Sequence, residues 1–262
     1  MIEFQNKFNG RYVMQPPHPN RLGITPIVES NLEIRFKSSV PNSAVPGMIY
    51  SALQKDYPEM EPTNILEIPE SIRSHAPELQ FAPLYRLVGD KKVYVSVGSN
   101  VLSIYYNKEQ RGEEYPGWTS YIHGEVLDIC NKINKLNIIS QTTRIGLRTV
   151  DFFESINIFE KSELELNFDG NSILDDISAL ERNIMKDEFQ NKVLIHSKVS
   201  RTVNSKIMHG SLIDIDTSLD LNYNLFVSPD DVIMRCHKVN KTIFFDLLKK
   251  DFIDTLEPIE NE

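Results

Sequence analysis

The sequence predicts an α+β protein, with antiparallel sheet packed by long helices. Three observations carry that expectation. Strand-like segments come in runs instead of alternating one-for-one with helices. Tight-turn sequences, "GDKK" and "GSN", separate three consecutive strand candidates. Two long amphipathic segments close the two halves of the chain, which raises two related lobes as a further expectation. The expected organisation is an extended arm over 1–22, an α+β lobe over 23–153 and a second over 154–262.

The elements follow in order. The arm contains "QPPHPN", whose three prolines favour extended backbone. "PIVESNLEIRF" alternates, with Ile27, Glu29, Asn31, Glu33 and Arg35 on one face and Val28, Leu32, Ile34 and Phe36 on the other, the mark of a half-buried strand. In "SAVPGMIYSALQKDYP", Met48, Leu53 and Tyr57 have near-helical spacing, and Pro58 ends the run. Residues 58–80 carry four prolines and read as a loop with a short strand at "NILEIP". "QFAPLYRLVG", "KKVYVSVG" and "NVLSIYYN" then read as a meander.

"YPGWTSYIHGEVLDICNKINKLN" is the clearest helix, with Pro116 in its first turn and a stripe of Trp118, Ile122, Val126 or Leu127, Ile129, Ile133 and Leu136. "TTRIGLRTVDFF" returns as a strand. "SELELNF" alternates, and "ISALERNIMKDEF" is compatible with a helix or a broken loop. "KVLIHSKVSRTV" and "GSLIDIDTSLDL" read as strands. The last helix opens on Ser228 as N-cap, with Pro229 in the first turn and Asp231 completing a capping box. Its stripe is Val232, Cys236, Val239, Ile243 and Leu247, and the closing "EPIENE" is expected to be loose.

Composition narrows function. The chain has 262 residues, 28 basic and 37 acidic, for a formal charge of −9. That balance argues against broad nucleic-acid binding and suits solubility or a basic protein partner. The start of the sequence shows no basic-then-apolar leader, and no apolar run reaches the ~20 residues of a membrane span, so a cytoplasmic protein with no membrane contact is expected. Cys130 and Cys236 lack metal-ligand spacing and read as buried free thiols.

Candidate sites are few. Arg144 and Arg148 share one strand face with Gly146 between them, roughly 13 Å apart at the usual rise, too far for one small anion. Arg35 points to the same kind of face, with Glu33 beside it. Cross-strand pairing with acids is the leading reading; a polyanion or partner carboxylates are the alternative. Gly146 leaves a gap for another backbone or a ligand. Asp214, Asp216 and Asp220 share a face and are weak candidates for a metal with oxygen ligands, against ordinary polar-out alternation. Trp118 is a candidate partner anchor, with pinning of its own helix the stronger reading. His237 follows Cys236 on a helix; neighbours there diverge by about 100°, so a surface histidine is expected instead of a catalytic pair. No P-loop, G-x-G-x-x-G, G-x-S-x-G or C-x-x-C motif occurs, no catalytic residue or cofactor is indicated, and the balance weighs against an enzyme.

"PIVESNLEIRF", "YPGWTSYI", "RIGLRTVDFF" and "NKTIFFDLL" together resemble a sporadically distributed, uncharacterised bacterial family of about this length. The proline-rich arm departs from that family's start. Patchy distribution implies mobile genes, as in phage defence or toxin–antitoxin modules. The resemblance therefore implies a non-enzymatic interaction or regulatory subunit: a sensor, an antitoxin-like inhibitor or a complex component. Its partner would be a protein encoded by a neighbouring gene, with nucleic acid or nucleotide reached through that complex. The alternatives are nucleotide or nucleic-acid binding by the arginine face and, behind it, a metal-dependent hydrolase or nuclease.

Overall fold

The computed structural model describes residues 18–73, 75–168, 171–172, 174, 177–203 and 206–260. Most of the expected arm, residues 1–17, lies outside them. The chain is α+β and antiparallel, as expected. Nine strands form one sheet: β1 (Ile27–Ser38), β2 (Glu59–Pro62), β3 (Tyr85–Val88), β4 (Tyr94–Val97), β5 (Val101–Asn107), β6 (Ile139–Glu154), β7 (Ala179–Lys186), β8 (Phe189–Val203) and β9 (Lys206–Asp220). Their spatial order is β7-β8-β9-β6-β1-β5-β4-β3-β2.

That order repeats a plan. Each half supplies one long strand and then a meander whose last strand pairs back onto it, of four strands (β2–β5) in the first half and three (β7–β9) in the second, and each ends in a helix. β1 and β6 are the two long strands, and they pair antiparallel at the centre, with Ile34 opposite Ile145 and Glu33 opposite Gly146. The sheet is therefore continuous across residue 153.

Three main helices, α1 (Val45–Leu53), α2 (His123–Asn134) and α3 (Asp230–Leu247), share one apolar core with one sheet face. Strand periodicity explains the sidedness. On β1 the even positions Leu32, Ile34 and Phe36 are buried and the odd positions face away. Val126, not Leu127, completes the α2 stripe. Asn240 of α3 is buried in this core and holds the helix to the sheet. Its amide nitrogen donates to the Leu147 carbonyl (3.2 Å), the Ile215 carbonyl (3.1 Å) and Thr217 Oγ1 (3.2 Å). Its oxygen accepts from Thr149 Oγ1 at 2.9 Å.

Several local expectations change. "NILEIP" forms a 3₁₀ turn at Asn64–Glu67, while the short strand is Glu59–Pro62. "ISALERNIMKDEF" contains neither helix nor broken loop but the edge strand β7, turning through Asp187-Glu188 into β8. Leu180 and Ile184 suit a helix or a strand equally well at four-residue spacing, and pairing with β8 selects the strand. "SELELNF" is mostly irregular: Ser162 bridges Leu248, and only Asn167–Phe168 pairs, with Asn171–Ser172. α3 starts at Asp230, and no side-chain cap forms at Pro229. The tail is tied down, since Pro258–Ile259 pairs with Arg21–Leu22.

The central helix begins with one wide π-type turn, Trp118–Ile122, before α2. Gly117 precedes it at φ +87°, a left-handed value, and a Cβ there would run into Ser120 Oγ. Gly117→Ala is expected to lower stability by about 1–3 kcal/mol, read as a drop in melting temperature.

Candidate binding face

The face away from the helices is polar, and its centre is a ladder of ion pairs. Arg144 and Arg148 do share this face, with Arg35 opposite Arg144 in register. Arg35 Nε donates to Glu33 Oε1 at 2.7 Å, and Arg144 Nη1 donates to the same oxygen at 3.1 Å. Arg144 Nη2 also reaches Asp216 Oδ2 at 3.4 Å. Arg148 makes a fork on Asp214, with Nε–Oδ1 at 2.9 Å and Nη2–Oδ2 at 2.7 Å. Those bonds hold the Arg148 guanidinium above its ordinary value. Three arginines thus meet three carboxylates.

The expected gap at Gly146 is filled from within. A Cβ on Gly146 would meet Arg144 Nη1 at 2.8 Å, so the Arg144 guanidinium lies folded over the glycine. Phe81, from the segment after α1, caps Arg35 at 4.4 Å by cation–π contact.

The aspartates singled out for a metal are part of this ladder. Asp214 and Asp216 face Arg148 and Arg144, and Asp220 stands exposed at the end of β9. Among the described residues no group of three or more His, Cys, Asp or Glu is placed to hold a metal ion.

Two shallow grooves flank the ladder. One, about 270 Å³, is lined by Glu29, Asn31, Ser96, Ser103, Tyr105 and Arg148, among others. The other, about 370 Å³, lies on β7, β8 and β9 between Asn183, Gln190, Lys192 and Ser218. Arg148 therefore borders a groove, while Arg35 and Arg144 do not. At one end the face is closed by the β8–β9 hairpin. Val199, Met208 and Leu212 pack there on Val28, Val150 and Phe152, and Arg201 bonds Glu109 at 2.6 Å.

Trp118 sits on the opposite, helix-covered side and is buried. Its ring lies 4.5 Å from the His237 ring and 6.3 Å from that of His123, which bonds Asp230 at 2.9 Å. His237 is thus packed against Trp118 and is no free surface group. Burial, with Lys241 and His123 nearby, pushes its pKa down to about 3. A base depressed from 6.5 contributes stability that is complete above that value. The contribution is lost as pH falls from 6.5 toward about 3. His237→Phe is expected to flatten the loss of urea stability between pH 7 and pH 4.5. Cys130 and Cys236 are buried free thiols, both pushed up to about 12 by burial.

Asn31 is placed on the outward face by the sequence alternation alone, whereas no sequence feature marks it, Ser96 or Ser103 as a groove residue. The remaining signal is subtle: short polar residues at the outward positions of β1, β4 and β5, where a plain solvated face would carry long charged ones.

No helix among the described residues is long and apolar enough to cross a membrane. The sequence matches no protein-family model, and no curated protein aligns with it. A solved structure described as KH domains aligns over 91% of this chain and 66% of its own length, at 8% identity and a TM-score of 0.20. A score that low carries no argument about fold or function.

Proposed function

We propose that this protein is a non-enzymatic interaction subunit whose open sheet face receives a partner polypeptide. The observation that carries the reading is the internal pairing of Arg35, Arg144 and Arg148 with Glu33, Asp216 and Asp214. Arginines already engaged have little left for phosphates, which weighs against nucleotide or nucleic acid as the direct ligand. The net charge of −9 points the same way. What the face offers instead is a neutral ladder flanked by grooves of hydroxyl, amide and phenol groups, the chemistry of a polypeptide-binding surface.

The family resemblance adds a setting: a bacterial phage-defence or mobile-element module, with the partner encoded next door. In that setting the subunit acts as sensor, inhibitor or assembly component. Co-expression with each neighbouring gene product, followed by co-purification, tests the reading. A stable complex is expected with one of them. A chain that stays alone beside every neighbour contradicts it.

A further inference from the structure

The 270 Å³ groove has a specific chemistry. It crosses three inter-strand steps, from β6 over β1 and β5 to β4, and at the usual strand spacing that is about 14 Å. Four extended residues span the same distance, at roughly 3.3–3.6 Å each. Ser96 and Ser103 lie opposite each other in register and are only 7% and 5% exposed. Neither hydroxyl hydrogen-bonds another described residue. Asn31 Oδ1 is buried and equally without a partner. A buried polar atom left open is uncommon, and Asn31 Oδ1 together with the two solvent-touching serine hydroxyls leaves a row of donors and acceptors to be met from outside.

Charge gives the row a direction. Glu29 accepts from Asn107 Nδ2 at 3.1 Å but has no cation within ion-pair distance among the described residues. Arg148, the nearby cation, has Nε and Nη2 committed to Asp214. Arg148 is shared between Asp214, which takes its hydrogen bonds, and Glu29, which it attracts through space, so Glu29 is the carboxylate of the groove that has no direct ion-pair partner among the described residues.

We propose that this groove seats a short extended segment of the partner protein, with a lysine or arginine side chain on Glu29. Backbone amides of the segment exchange hydrogen bonds with Asn31, Ser103 and Ser96. This assignment rests on the reading of the sheet face as a polypeptide-docking surface.

The test is a titration of the isotope-labelled full chain with the peptide acetyl-Gly-Lys-Gly-amide, and separately with acetyl-Gly-Glu-Gly-amide. Side-chain amide signals of Asn31 and Asn107 and backbone signals of Ser96 and Ser103 should shift with the lysine peptide. The glutamate peptide and the Glu29→Gln variant should each bind at least about tenfold more weakly. No shift in the groove up to about 10 mM lysine peptide, equal binding of both peptides, or an unaffected Glu29→Gln would overturn the assignment. If a neighbour-encoded partner still co-purifies with Glu29→Gln, only the groove assignment falls. If no neighbour binds the unaltered chain, the reading of the whole face falls with it.

Discussion

Asn240→Leu is expected to lower the free energy of unfolding by about 3 kcal/mol. Asn240 is 4% exposed on α3 and serves both central strands of the second half. Its two amide hydrogens are shared among the Leu147 carbonyl, the Ile215 carbonyl and Thr217 Oγ1, while its oxygen takes the Thr149 hydroxyl. Leucine fills similar space but leaves the two threonine hydroxyls buried with the partner gone, and an orphaned buried group costs about 1–3 kcal/mol. Asn240→Asp should be worse at neutral pH, because a carboxylate cannot donate to three acceptors and would be buried charged. Urea unfolding measures both. A loss under about 1 kcal/mol for Asn240→Leu would mean that apolar packing alone docks α3.

Arg148→Ala is expected to cost about 2 kcal/mol, because Asp214, only 7% exposed, loses its bidentate partner. The cost stays below that of a fully buried pair because the Arg148 side chain is 49% exposed. The double variant Arg148→Ala plus Asp214→Ala should cost less than the two singles added, by about 1–2 kcal/mol. An arginine held out for an external anion behaves differently. Its removal leaves stability nearly unchanged and abolishes binding instead. Additive single and double variants would therefore revive the anion-binding alternative.

How far the sequence could be read depends on the range of each interaction. The alternation in β1 displays its two faces directly, because side-chain direction follows from neighbouring residues alone. Arg35 and Glu33, two residues apart, are legible for the same reason. Asp214 and Asp216 stand in an acidic strand more than sixty residues from Arg148 and Arg144, and only the β9–β6 register brings them together. Read alone, the aspartates suggest a metal and the arginines an anion; in register they answer each other. The edge strand β7 misleads locally, because Leu180 and Ile184 suit two periods at once. The groove was legible only as outward-facing polar positions. Ser96, Ser103 and Asn31 come from three strands and gain meaning only from their shared face and missing partners.

The claim that the open sheet face docks a polypeptide is tested most directly by charge insertion on that face. Asn31→Lys and Gln190→Lys place one cation in each groove, and Lys238→Glu on the exposed side of α3 serves as control. Each variant is co-expressed with the neighbour-encoded partner, and the complex retained on purification is measured beside the melting temperature of the free chain. The expected result is loss of the partner in the two face variants at melting temperatures that still leave the free chain folded, with the control fully bound. Full retention by both face variants, or loss confined to Lys238→Glu, would contradict the account and move the docking surface to the helices.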